Sequence, residues 1–340
     1  MQAFQVKAPH DFSIVDIEMP QAKAGEVLVG VAFAGICGSD MHIIHGNNAF
    51  VRFPRVTGHE FAGVIEAVGE GVEGITVGER VCVDPVVSCG ECYPCRIGRP
   101  NICTRLEVIG VHRDGGFEQR VSVPAANVHR LPEHVGLDQA ALVEPYSIAT
   151  NVLDRMQPIE GDGLLIFGAG VIGLTILQVA RAKGLTDITV CDVIDVRLET
   201  ASALGASHVV NGEKEDIEVV MAERTQGEGV PLIADAACVP ALFPSLVRMA
   251  SPAGRIGLLG FNATPCDLVQ LEVIKKELTL VGSRLNNRKF PEVIEMLASG
   301  RLDATALVSH RLPFAEMSEA IHMIDHHPES ARKVLIDLSA

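Results

Sequence analysis

Four cysteines fall within fifteen residues, Cys89, Cys92, Cys95 and Cys103, in the order C-x-x-C-x-x-C-x7-C. Four thiolates at these spacings can close a tetrahedron around one zinc ion and leave no position open, which is the coordination of a structural site. The same string can ligate an iron–sulfur cluster, because thiolates suit both metals. The chain has nine cysteines in 340 residues, an odd number in a long sequence. A disulfide framework is therefore not expected, and metal binding is the reading for the clustered ones.

A second signal is glycine spacing. Gly168, Gly170 and Gly173 spell G-x-G-x-x-G, with Val171 and Ile172 between the last two. Alone the string is weak. It follows an apolar run, Leu164 to Phe167, opens an apolar helix, and is followed about 20 residues on by a second strand ending at Asp192. Gly168 permits the tight turn and Gly170 lets the backbone approach a pyrophosphate. Gly173 lets the helix pack close, with its N-terminus facing the phosphates. Asp192 then accepts hydrogen bonds from the adenosine ribose and repels the extra phosphate of NADP, so NAD is the expected cofactor. Arg197 lies on the next helix, where it can meet a phosphate; it is read as packing along the adenosine.

Other chemistry-bearing residues are scattered. Cys37 lies in GICGSDMH, His59 and Glu60 in TGHE, and Glu144 in VEPYS. Singly, each has an ordinary structural explanation: a buried thiol, a hydrogen-bonded imidazole, a solvated carboxylate. Yet GICGSD, GHE, the four-cysteine lobe and GAGVIG occur in this order. The chain thereby resembles the zinc-containing medium-chain dehydrogenases over essentially its whole length. The resemblance implies an α/β protein with a GroES-like β-rich catalytic domain and a Rossmann doubly wound parallel-sheet cofactor domain. It implies NAD-dependent oxidation of a secondary alcohol at a zinc ion held by Cys37, His59 and a carboxylate. Alcohol dehydrogenases of this family usually carry Cys where this chain has Glu144. The glutamate version resembles the polyol dehydrogenase branch, in which Glu60 enters the metal shell, so both glutamates are placed there, directly or through water. Asp40 is expected to orient His59 from outside the shell. Ser39 and His42 resemble the family's proton relay, suited to it by a hydroxyl and by an imidazole that titrates near neutrality.

Within the family, VDPVVSCGECYPC, VIGVHRDGGF, VEPYSIATNV and SRLNN are similar to the starvation-sensing protein B group and to bacterial L-gulonate and L-galactonate 5-dehydrogenases. This implies oxidation of a sugar acid at C5, L-gulonate to D-fructuronate being the first choice. A hexonate needs a cation for its carboxylate. The candidates are Arg113 beside His112, Arg284 with Asn286, and Asn48 with Arg52, the last read as a surface charge. The alternatives are an L-galactonate or L-idonate 5-dehydrogenase, a dehydrogenase of neutral polyols such as sorbitol, and a cofactor-binding starvation-signalling protein; a pure sensor needs neither relay nor metal shell.

The elements that must position these residues are legible as texture. Short apolar runs separated by Gly and Pro (Val27 to Ala34, Ala62 to Val68, Arg80 to Val83, Phe117 to Val123) predict a β-rich domain over 1–147. Alternating strands and helices predict a doubly wound sheet over 148–288. The 289–340 segment, a helix at FPEVIEMLASG and a strand at KVLIDL, is expected to return to the first domain. Ile148 to Met156 is the expected linking helix. The formal charge of -15 and the lack of a basic stripe exclude a nucleic-acid partner. No apolar stretch is long enough for a membrane span. The start, MQAFQVKAPHDF, has no basic-then-apolar signal pattern, so a cytoplasmic protein is expected. The resemblance also implies a homodimer or homotetramer paired through the edge strand near Leu278 to Gly282.

Overall fold

The computed structural model of the chain describes residues 1–261 and 263–339. They form two compact units, Met1–Ser147 with Asn286–Ala340, and Ile148–Leu285.

The first unit is built on a seven-stranded sheet. Its order is Val128–Arg130, Arg80–Val83, Glu60–Val68, Glu26–Gly35, Lys333–Asp337, Val308–Pro313, and Arg120–Pro124 pairs with the N-terminal part of Glu26–Gly35. All pairings are antiparallel except that between Val308–Pro313 and Lys333–Asp337. The sequence EVLVGVAFAG is nearly all apolar because both of its edges and both of its faces are covered; seven of its ten residues are buried. Phe4, Phe61, Phe117, Ile43 and Tyr146 fill the core around it. The four-cysteine segment stands apart as a small lobe. Its pieces are a two-residue strand pair (Val86–Val87 with Glu107–Val108), a four-residue helix, Tyr93–Arg96, none of whose residues is buried, and a 3-10 turn, Pro100–Ile102, with Pro100 and Asn101 buried.

The second unit is a six-stranded parallel sheet. Its order is His208–Asn211, Ile188–Asp192, Leu164–Phe167, Val230–Asp235, Ala250–Leu258, Thr279–Gly282. Leu164–Phe167 is buried on every residue, as a strand covered on both faces must be. The chain order reverses between Leu164–Phe167 and Val230–Asp235, which makes their carboxyl ends the switch point where a sheet of this kind binds ligands.

Three local outcomes differ from the expected boundaries. The helix expected from Ile148 begins at Val143. Pro145 sits in its first turn, where a missing N–H costs nothing, and Glu144 is thereby carried on a helix. The Phe117 to Val123 run is a regular strand only over Arg120–Pro124. The second unit ends at Leu285, so Asn286 belongs to the first. No helix among the described residues is long and apolar enough to cross a membrane.

Candidate active site

Cys37 caps the helix Gly38–Ile44, and Asp40, its third residue, accepts a hydrogen bond from the Cys37 N–H at 2.9 Å through Oδ2. With the Asp40 N–H donating to the Cys37 carbonyl at 3.0 Å, that bond fixes the entry of the chain into the helix. The other oxygen of Asp40 accepts from Gly58 N–H at 3.2 Å and lies 3.6 Å from His59 Nδ1. One fully buried carboxylate therefore ties the Cys37 loop to the His59 loop. His59 directs Nε2 the other way, 3.2 Å from Ser39 Oγ. His42 sits in the last turn of the same short helix and is exposed.

Ligand atoms of Cys37, His59 and Glu60 lie within 4.8 Å of one another. A thiol, an imidazole and a carboxylate are the donor set of a zinc centre that keeps a position open. Glu144 does not join this trio at that distance. It is buried nearby, and burial pushes its carboxyl up to about 8, His59 opposing while Glu60 and Asp84 add to the push. Burial disfavours a charged His59, yet Asp40 and Cys37 outweigh it and raise the imidazole well above its ordinary value. A dication beside half-buried Cys37 and the buried Asp40, Glu60 and Glu144 would offset the repulsion among these acids.

The four-cysteine lobe passes a metric test. Its Sγ–Sγ separations are 3.4 Å for Cys89–Cys103 and Cys92–Cys95, 3.7 Å for Cys92–Cys103 and 4.0 Å for Cys89–Cys95. A tetrahedron with Zn–S bonds of about 2.3 Å has edges of about 3.8 Å. The sulfurs are too far apart for disulfides and too close together to serve the separate irons of a cluster. Arg105 and the Cys92 backbone pull the Cys89 thiol down to about 6, and the Thr104 and Cys95 backbones pull Cys92 to about 7, whereas burial and the Cys92 side chain push Cys95 up to about 11, so without a metal only part of the set favours the thiolate.

In the second unit the glycine loop has the form a dinucleotide requires. Gly168 has φ +95° and a Cβ there would lie 2.8 Å from Ala237 N; one at Gly173 would lie 1.8 Å from Gly168 O. A Cβ on Gly170, which caps the helix Val171–Ala182, would meet nothing within 4 Å, so the backbone is open to close approach there, and Val171 and Ile172 after it are half-buried. Asp192, at the end of its strand, accepts from Ala169 N–H at 2.7 Å and from Val193 and Ile194 N–H at 2.8 and 2.9 Å. Arg197 Nη1 lies 4.0 Å from it.

The substrate candidates are more dispersed. Asn286 is buried, donates to Asp84 at 3.0 Å and accepts from Lys289 N–H at 3.3 Å, both bonds inside the first unit. Arg113 pairs with Glu26 at 2.8 Å, and His112 Nδ1 accepts from Val108 N–H. Asn48 Oδ1 is engaged by Phe50 and Val51 N–H in its own turn. Arg52 is exposed. Arg284 lies over the Phe261 ring, 5.4 Å from its centroid.

Lys333 is the residue that sequence reasoning missed. It is 2% exposed, and its Nζ donates to both Glu60 oxygens at 2.8 and 2.6 Å and to Ile36 O at 2.9 Å. The one available signal was a lysine adjoining VLID, since lysine is almost never fully buried unless paired.

A β-rich unit with closed and open metal sites, together with a nucleotide-type parallel sheet, defines a zinc-dependent dehydrogenase class. Residues 23–133 match the alcohol dehydrogenase GroES-like domain and residues 171–299 the zinc-binding dehydrogenase domain. The chain belongs to the zinc-containing medium-chain alcohol dehydrogenase family. It is 46% identical to the starvation-sensing protein RspB of Escherichia coli K12, over 340 residues covering 100% of both chains. It is 36% identical to the 2-dehydro-3-deoxy-L-galactonate 5-dehydrogenase of Pseudoalteromonas atlantica, covering 100% of this chain and 99% of the relative. Among solved structures it matches an alcohol dehydrogenase (rspB) of E. coli CFT073 complexed with NADH, with a TM-score of 0.95, 46% identity and 99% of each chain covered.

Proposed function

We propose that this chain is an NAD-dependent dehydrogenase that oxidises a secondary alcohol at C5 of a hexonate, L-gulonate first. The observation that carries the reading is the convergence of Cys37, His59 and Glu60 within 4.8 Å, beside Ser39 and Asp40. Cys37, His59 and the neighbouring glutamates would hold a zinc ion, which would supply a Lewis acid for the alcohol, and the Gly168–Gly173 loop would hold NAD, which would supply the hydride acceptor. The protein's own groups do the rest. Asp40 faces the Nδ1 side of His59 as an ionic contact at 3.6 Å, longer than a hydrogen bond, and so favours the orientation that turns Nε2 toward Ser39. Ser39 Oγ, 3.2 Å from that nitrogen, takes the alcohol proton and passes it toward His42 at the exposed end of the helix. Asp192 receives the adenosine ribose, and Arg197 packs beside it. The sugar-acid reading draws support from the relative that acts on a 2-dehydro-3-deoxy-L-galactonate. A second copy of the chain is placed against Thr279–Gly282, the terminal strand of its sheet.

The test is NADH formation by zinc-replete protein across L-gulonate, L-galactonate, L-idonate, 2-dehydro-3-deoxy-L-galactonate, sorbitol and xylitol. Turnover confined to the acids is expected, and Arg113 and Arg284 are then the side chains to vary for carboxylate recognition. Turnover on sorbitol and xylitol as well would discard the carboxylate requirement.

Asp192→Ala should narrow the preference for NAD over NADP by about 10- to 100-fold, the value of a hydrogen bond to a charged group. It also frees the Ala169 N–H, so NAD affinity should fall in the same variant. Dissociation constants for both cofactors check this, and an unchanged ratio would remove Asp192 from the ribose site.

A further inference from the structure

Lys333 has three N–H donors and three acceptors around it: both oxygens of Glu60 and the carbonyl of Ile36, the residue before Cys37. The pair is 2% and 1% exposed. The same Glu60 carboxylate lies within 4.8 Å of the ligand atoms of Cys37 and His59. Two cations therefore have a claim on it, one fixed by the fold and one that arrives with the metal. Gly35 leaves the space this requires, because a Cβ there would lie 2.3 Å from Glu60 Oε2.

To give itself wholly to a metal, Glu60 must stretch two charge-assisted hydrogen bonds and leave the buried ammonium with one carbonyl. An uncompensated buried charge is strongly disfavoured, and a carboxylate already neutralised by an ammonium attracts a dication less. We propose that Lys333 is a positioning residue that makes Glu60 a weak, displaceable ligand and so keeps one coordination position available to substrate. This rests on the zinc reading above. A lysine that merely supported a full ligand would have the opposite effect, since losing such a partner loosens the metal.

The sign of the effect on zinc release decides between them. Zinc-loaded full-length enzyme is mixed with a chelating dye, and the phase missing in Cys37→Ala is followed. Lys333→Met should slow that phase by about 10- to 100-fold. Cobalt-substituted Lys333→Met should show the weaker visible bands of a higher coordination number. Adding Glu60→Gln to it should abolish both changes, and Lys333→Arg should restore behaviour close to wild type. Release from Lys333→Met that is unchanged or faster overturns the proposal. Lys333→Met leaves Glu60 unpaired and puts the fold at risk, so Glu60→Gln alone is a second arm. Release within about threefold of wild type is expected for a weak ligand, and acceleration of about 10- to 100-fold, the loss of a full ligand, overturns the proposal. If Cys37→Ala retains all its zinc, no metal sits at this cluster and both readings fall. If it loses half while Lys333→Met behaves as wild type, only the role of Lys333 falls.

Discussion

Cys37→Ala is expected to lose half of the bound zinc and to cut turnover by roughly 10³- to 10⁴-fold, the several kcal/mol that Lewis-acid stabilisation supplies. The fold should survive. Asp40 bonds to the Cys37 backbone N–H rather than to its sulfur, and its other oxygen still reaches Gly58 N–H, so both loops stay tied after the thiol is removed. NAD affinity should be unchanged, because the glycine loop and Asp192 belong to the other unit. Zinc by elemental analysis, NADH formation and cofactor titration check the three parts separately. Loss of turnover together with loss of NAD binding and a lower melting temperature would make Cys37 a structural residue.

Cys95→Ala should act in the opposite manner, on stability first. The lobe from Val86 to Val108 has little of its own to hold it: two paired residues per strand, a four-residue helix without a buried side chain, a short turn at Pro100–Ile102, and only Pro100, Asn101, Cys103 and Val108 buried, while Tyr93 and Ile97 are 65% and 50% exposed. Its folding free energy must come largely from the metal, as in small zinc modules, where binding is worth about 10 kcal/mol or more. The cost is limited because the lobe can open locally without unfolding the sheet. A loss of about 3–5 kcal/mol is expected, which lowers Tm by about 10 °C in a domain of this size. Half of the zinc should be lost, and limited proteolysis should cut between residues 89 and 103 before anything else. Unchanged zinc content and Tm would show that the four thiols hold no metal.

What could be read without the structure was what is local in the chain. The spacing of Cys89, Cys92, Cys95 and Cys103 confines the sulfurs to one loop, so a metal site follows from chain geometry alone, whatever the rest of the fold does. The G-x-G-x-x-G string is likewise local: Gly168, Gly170 and Gly173 are needed by one turn and one helix start, and the nearby strands announce themselves by apolar runs. Asp192 was legible because a strand, a turn and a helix have nearly fixed lengths between it and the loop.

The open metal site was legible only through resemblance. Cys37, His59, Glu60 and Glu144 are separated by loops whose course no local rule sets. Their roles could not be ranked until Glu60 was seen beside Cys37 and His59, with Glu144 set outside the trio. Asn286 shows the converse: a polar residue in a promising string proved to be a buried partner of Asp84.

Lys333 depends most fully on tertiary structure. Its partner lies 273 residues earlier in the chain. Gly35 pairs with Glu60 on one side and with Leu335 on the other, two residues beyond Lys333. Residues two apart on a strand share a face, and a slip of one residue turns them all over. The amino-acid sequence by itself determined which groups were available and the local shape of each loop. Strand register decided which of them meet, because pairing between distant segments depends on the burial of whole faces, a property no short stretch of sequence contains.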